Sequence, residues 1–227
     1  MCSRYNLTAP PEAVRMFFNA TGEADFPPRY NIAPTQPVLI VRDRDSKGRE
    51  LVLVRWGLIP AWSKDPSLLK TMLINARAET AADKSSFRGP LRHRRCLVPA
   101  TGYYEWTGKA GAKQPHMIRP RNGGVMGMAG IWDHWLGADG SEIETMAILT
   151  VEASGEPRAL HDRMPLILPP EAFAAWLDCR PGSAVHIMDL MYAPHEDLLE
   201  TVPVSRKVNN VRSEGPDILA DDAPLLI

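Results

Sequence analysis

Prolines interrupt this 227-residue sequence at 21 positions, spread along its whole length and not gathered in one linker. Each removes a backbone donor and breaks a helix interior, so the chain between them is divided into short elements. Most of those elements are apolar runs of strand type. They cover residues 38–41 and 51–56 on either side of a charged turn at 42–50, then 96–98, and 103–106 before a polar turn at 107–113. They continue at 116–118, 125–132, 146–151 and 166–168. Two stretches read as helices: Pro10, Pro11 and Glu12 leading through Val14 and Met16 to Phe18, with Thr8 as cap and Gly22 near the end, and Pro169, Pro170 and Glu171 leading to Trp176 and Leu177. Residues 196–200 read as one more helical turn, and Val202, Val204 and Val208 as a last extended segment. This pattern predicts an α+β fold, a single domain over 1–227 with a curved, barrel-like, mostly antiparallel β-sheet core and a few flanking helices. The tail from about residue 218 to 227 is expected to be mobile. There is no βαβ alternation, internal repeat, G-x-G-x-x-G or G-x-x-x-x-G-K-[ST], so dinucleotide-binding and P-loop readings fall away.

Lys and Arg number 26 and Asp and Glu 27, so the net charge of −1 gives no bulk pull toward nucleic acid. Any anion-binding surface must be a local patch. Three widely spaced cysteines make no disulfide framework or zinc motif, and no cofactor or metal is expected. A reducing cytoplasm suits such cysteine usage. The amino-terminal residues lack the apolar stretch of a signal peptide, and no run approaches the roughly 18 residues of a membrane span.

Cys2 is the residue with the most chemistry to offer. Once Met1 is removed it carries an α-amine and a thiol on adjacent carbons, with reference pKa values of about 7.7–8.0 and 8.5. An aldehyde meeting both can form an imine at nitrogen and close a five-membered thiazolidine through sulfur. Position alone favours the plainer reading of Cys2 as an incidental residue on a frayed terminus. Glu105, set among Tyr103, Tyr104 and Trp106, is a carboxyl whose pKa burial would raise. His161 precedes Asp162 and Arg163 and is suited to proton transfer near pH 7. Asn75 offers an amide and Arg77 a phosphate-matching fork. Each also has a plain structural reading as an exposed, capping or ion-paired residue. Lys84, Arg88, Arg92, His93, Arg94 and Arg95 form a basic cluster, more often a solvated face than a binding one. Trp56, Trp62 and Trp106 are stacking candidates, each singly more at home in a core.

Taken together, these segments resemble the SRAP family (SOS response-associated peptidase), the abasic-site-processing proteins. The matching stretches are Met1-Cys2-x-Arg4-Tyr5, Tyr30-Asn31-Ile32-Ala33-Pro34, Trp56-Gly57-Leu58-Ile59-Pro60-x-Trp62 and Asn75-Ala76-Arg77-x-Glu79-Thr80. They continue through Cys96-Leu97-Val98-Pro99-Ala100-x-Gly102-Tyr103-Tyr104-Glu105-Trp106, Ala129-Gly130-Ile131-Trp132, His161-Asp162-Arg163-Met164-Pro165 and Val204-Ser205-x-x-Val208-Asn209. The resemblance implies capture of abasic sites in single-stranded DNA by a covalent thiazolidine at Cys2, after Met1 is lost. It implies that Asn75 steadies the adduct, that Glu105 and His161 move protons, that Arg4, Arg77 and Arg163 hold phosphates, and that Pro34 and Trp62 wedge or stack against neighbouring bases. It further implies self-processing peptidase and lyase-like activities, a monomer acting without membrane attachment, and a cytoplasmic protein that joins the nucleoid on DNA. One departure is Ser3, where the family usually has glycine. Two other readings stay open: a cysteine peptidase or amidohydrolase using Cys2 and His161, and a non-covalent single-strand binder.

Overall fold

The computed structural model describes residues 2–22, 26–44, 48–69, 71–109, 112–183, 187–191 and 198–220. In chain order its strands and helices begin with β1 (Tyr5–Leu7), α1 (Pro11–Phe18), β2 (Ala20–Thr21), β3 (Arg29–Ile32), β4 (Pro37–Asp43), β5 (Arg49–Trp56), β6 (Asn75–Arg77), α2 (Ala78–Ala81) and α3 (Arg88–His93). They continue with β7 (Arg95–Ala100), β8 (Gly102–Thr107), β9 (Gln114–Pro120), β10 (Met126–Leu136), β11 (Glu142–Glu152), β12 (Arg163–Pro165), β13 (Ile167–Leu168), α4 (Phe173–Leu177), α5 (Ile187–Leu190) and β14 (Leu199–Pro203).

Five strands close on themselves. β11 pairs with β10, β10 with β7, β7 with β4 and β4 with β5, all antiparallel, and β5 returns to β11 in parallel through Thr145↔Arg55 and Met146↔Trp56. The result is a mixed barrel within an α+β domain, which removes the free edges an open sheet of these strands would carry. Strand β7 is buried along its whole length, as its unbroken apolar run from Cys96 to Val98 requires of a strand covered on both faces. At Gly130 on β10 an added Cβ would lie 2.9 Å from the Cys96 sulfur and 3.0 Å from Val98, so only glycine lets these strands meet. A second sheet, ordered β14-β9-β8-β1-β3, packs beside the barrel. Its outer face has a small core of its own, made by Tyr104, Met117, Val204, Val208 and Ile218.

Local signals explain most boundaries. α1 starts at Pro11 behind Pro10 and stops at Asn19, which turns left-handed (φ 47°) to begin β2, well short of Gly22. Thr8 does not cap α1: the helix has no side-chain cap, and the Thr8 amide is spent on Thr101 Oγ1 at 3.0 Å. The helical turn expected over 196–200 is also corrected. Leu199 and Glu200 belong to β14, where pairing with Pro120 and Arg119 of β9 overrides the local acidic pattern, and residues 196 and 197 lie outside the described residues. Val208 is buried within a 3-10 turn (Arg206–Asn209) and is not extended, because the Ser205 hydroxyl caps that turn by accepting from the Lys207 amide. Ile218 is fully buried and its carbonyl accepts from Ser205 N–H, so the fold holds the chain at least that far; residues 221–227 lie outside the described part.

Candidate active site and nucleic-acid interface

The pairing of β1 with β8 fixes where Cys2 falls. Tyr5 pairs with Tyr103 and Asn6 with Gly102, and the Tyr104 amide donates to Arg4 O at 3.0 Å, so the segment before β1 runs along β8 toward Glu105. From another direction, β6 lies parallel to β11 through Ile148↔Asn75 and Leu149↔Ala76. The two meet where Asn75 Nδ2 donates to the backbone carbonyl of Cys2 at 2.7 Å. The other end of that amide, Asn75 Oδ1, is buried without a hydrogen-bond partner. A buried acceptor left open costs on the order of 1–3 kcal/mol, which marks it as a place where an incoming donor would gain.

Cys2 itself is wholly buried, with Sγ 3.8 Å from Arg4 O. Burial, and then the nearby Glu105 charge, push its thiol far above the ordinary cysteine range. The thiol is therefore protonated in this state. Glu105 is 7% exposed, and burial raises its carboxyl pKa above the usual carboxylate value, with the charge of His161 opposing that rise. Tyr103, on the same face of β8 two residues away, is also fully buried, and its hydroxyl has no hydrogen-bond partner. His161 is half-buried; its Nδ1 accepts from the Arg163 amide at 2.9 Å and also lies 2.7 Å from Asp162 Oδ1. The neutral ring satisfies the first contact and the protonated ring the second, so the imidazole has a ready partner in each state.

The cationic residues are placed less uniformly. Arg4 lies 5.8 Å over Trp106, on the face of β8 opposite to Glu105, and Arg4 Nη1 donates to Asn31 Oδ1 at 2.7 Å and Val208 O at 3.0 Å. It lines a groove of about 330 Å³ with Trp106, Lys113 and Asn209. Arg77 is exposed at the end of β6. Arg163 makes a bidentate pair with Glu79 at 2.7 and 2.8 Å and also donates to Thr150 O at 2.6 Å. Pro34 is half-buried beside Thr35, which takes a left-handed φ of 75°. Trp62 is 59% exposed and anchored through Nε1 to Ser85 O, whereas Trp56 is core. The structure thus gathers Cys2, Asn75, Glu105 and His161 into one locus and sets Arg4 on the opposite face of β8. A cleft of about 890 Å³ elsewhere on the protein involves none of these residues. Its Arg42 is bound to Glu50 and Glu144, and of the basic cluster at 84–95 Arg94 pairs with Asp133 while the buried Arg95 donates to backbone carbonyls. Among the described residues no group of His, Cys, Asp and Glu is arranged to hold a metal, and no helix is long and apolar enough to cross a membrane. The motifs contained Asn31, Glu79 and Tyr103, but nothing in their spacing indicated what each would touch.

The closed barrel within an α+β domain agrees with the barrel-like fold the sequence predicts, and it carries a buried second-position cysteine beside an amide, a carboxyl and an imidazole. The chain belongs to the SOS response associated peptidase (SRAP) family, which it matches over residues 1–211. Among its relatives it is 34% identical to the abasic site processing protein YoqW of Bacillus subtilis (strain 168), over 96% of this chain and 99% of that one. It is 38% identical to the abasic site processing protein HMCES of Gallus gallus, over 87% of this chain and 67% of the relative. A crystal structure of a Bacteroides thetaiotaomicron protein shares its fold with a TM-score of 0.84 and 26% identity, over 97% of this chain and 99% of that one.

Proposed function

We propose that this protein captures abasic sites in single-stranded DNA as a covalent thiazolidine on Cys2. The observation that carries the reading is the Asn75–Cys2 hydrogen bond of 2.7 Å, which seats residue 2 in a buried pocket beside a carboxyl of raised pKa while leaving Asn75 Oδ1 open. Hydrolysis of the Met1–Cys2 bond frees the α-amine. That amine adds to the aldehyde carbon of the ring-opened deoxyribose. The resulting carbinolamine loses water as Glu105, with His161, donates the proton that hydroxide departure needs. The thiol gives its proton to the Glu105 carboxylate as sulfur adds to the iminium carbon, which leaves a neutral ring nitrogen and restores the acid. The sum is aldehyde plus aminothiol giving thiazolidine plus one water, with no oxidant or cofactor. Asn75 holds the adduct through its amide; Arg77 and Arg163 on one side and Arg4 on the other hold backbone phosphates independently of sequence; Pro34 and Trp62 meet the bases beside the lesion. An imine that failed to close would permit β-elimination, which is how a lyase activity would arise.

A Cys2–His161 peptidase acting on other proteins gains less support. A nucleophilic thiol is lowered toward the thiolate by its surroundings, and burial together with Glu105 drives Cys2 the other way.

The test is incubation with single-stranded DNA containing one abasic site, followed by a denaturing gel and intact mass. The expected product is a slow band that survives borohydride without needing it, lacks Met1 and is absent for Cys2→Ala. An undiminished band from Cys2→Ala, or retention of Met1 within the adduct, would overturn the proposal.

A further inference from the structure

The carboxylate that grips Arg163 points to a role for Glu79 beyond the capture chemistry. Arg163 sits on β12 and Glu79 on α2, at opposite edges of β11, and they are joined by two parallel N–H···O bonds of 2.7 and 2.8 Å. Guanidinium meets phosphate with the same planar fork that it uses for carboxylate. The Arg163 side chain is 13% exposed and that of Glu79 35%. The arginine is further pinned by its 2.6 Å bond to Thr150 O, on the strand between the two elements, and its buried Nε has no partner. The acid stands on the short α2 and is the more exposed of the two. Arg77, exposed at the start of that same turn, is near enough to act on Glu79 by charge.

We propose that Glu79 occupies, in the protein without DNA, the position a backbone phosphate takes between Arg163 and Arg77, so that DNA binds only by displacing it. This rests on reading those two arginines as phosphate contacts. In the exchange the Arg163 fork passes from the Glu79 oxygens to two phosphate oxygens, Thr150 keeps the guanidinium in place, and the freed carboxylate swings to solvent. Glu79 thereby holds affinity for undamaged single strands low and leaves retention to the covalent link.

The experiment measures binding of a fluorescein-labelled oligothymidine without lesion, by polarisation at one fixed salt concentration, since such affinities change steeply with salt. Glu79→Gln, which keeps shape and loses charge, is expected to bind about tenfold tighter than wild type. That gain should vanish when Arg163→Gln is added, because the acid acts through that arginine. Glu79→Asp keeps the charge on a shorter stem and should fall between; it also supplies a readout if the glutamine variant fails to fold, as its melting temperature would reveal. Unchanged or weaker binding by both Glu79 variants overturns the proposal and makes Glu79 a support for Arg163. Crosslinking of abasic DNA by the same preparations separates the two failures. A wild type that crosslinks while Glu79→Gln shows no gain sinks only the displacement, whereas a wild type that forms no crosslink, with no gain in binding for Glu79→Gln, sinks both readings.

Discussion

Asn75 offers the sharpest perturbation of the proposed capture. Its Nδ2–H donates to the Cys2 carbonyl at 2.7 Å in a pocket where Cys2 has no exposure, and it anchors residue 2 from the barrel side, while β8 holds the segment from the other. Asn75→Ala deletes that donor and leaves a carbonyl unpaired in its pocket. The penalty for stranding such a group is about 1–3 kcal/mol, and it falls on the docked position of residue 2. If capture requires that position, the rate of adduct formation drops by about 5- to 150-fold, since each 1.4 kcal/mol is a factor of ten. Asn75→Asp should be worse, because it replaces the donor with a negative charge facing a carbonyl oxygen beside a thiol already kept neutral. The assay is single-turnover quench of wild type and both variants on one abasic oligonucleotide, with intact mass showing that Met1 is removed equally from all three. Hydrogen exchange at the amides of Ser3 and Arg4 reports the docking directly. A rate for Asn75→Ala within about twofold of wild type, together with faster exchange at those amides, would refute the argument, because the amide would hold residue 2 without mattering to the chemistry.

Glu105→Gln should raise the melting temperature at neutral pH and leave it unchanged in acid. A carboxyl whose pKa is raised in the folded state favours the protonated form there, so its contribution to stability is lost as pH rises from the ordinary glutamate value of about 4.3 through the raised one. Melting curves from pH 4 to 8 should diverge upward across that window, and curves that separate at low pH instead would contradict the burial argument. Arg95→Met should be severely destabilising, by about 3–5 kcal/mol, although it lies in what reads as a surface charge run. Arg95 is 1% exposed and donates to the carbonyls of Trp176, Leu91, Arg92 and Asp178 and to Ser183 Oγ; without it the first three carbonyls lose this donor in a buried setting, whereas Asp178 O keeps its bond from Ser183 Oγ. Urea denaturation measures this, and a loss under about 1 kcal/mol would mean that water replaces the arginine readily.

Arg95 also marks where a sequence stops being readable. Its neighbours Arg88, Arg92, His93 and Arg94 give a pattern that suggests a solvated or nucleic-acid-facing surface, and only the α3 and α4 carbonyls that converge on it reveal an arginine used as a buried clasp. The barrel strands were legible for the opposite reason. Residues 96–98 or 146–151 are apolar on both faces and have no other place to go than a covered sheet. Closure was not legible. It depends on the parallel contact of Trp56 with Met146, ninety residues along the chain, and neither strand's pattern encodes its partner. Three-residue strands such as β6 and β12 are too short to show periodicity at all, yet they carry Asn75 and Arg163. Cys2, Asn75, Glu105 and His161 could be picked out by residue type and motif. The attachment of Arg163 to Glu79, 84 residues away, belongs to the fold alone.

The buried thiol constrains the order of any chemistry at Cys2. A thiol raised so far would contribute almost no thiolate at neutral pH, so sulfur attacking the free aldehyde first would be slow. Nitrogen has no such handicap, because an α-amine is appreciably neutral near its reference pKa of about 7.7–8.0. In the proposed capture, therefore, the imine forms first. Its protonation places a positive charge beside the sulfur, and a cation there does what the resting site does not: it draws the thiol pKa down where the nucleophile is wanted. Glu105, ionised once it has given its proton to the departing water, is then the base to receive the thiol proton. In that proposed sequence Glu105 regains its proton on ring closure, and the burial that silences Cys2 toward ordinary electrophiles becomes part of its selectivity for an aldehyde already held by its own amine.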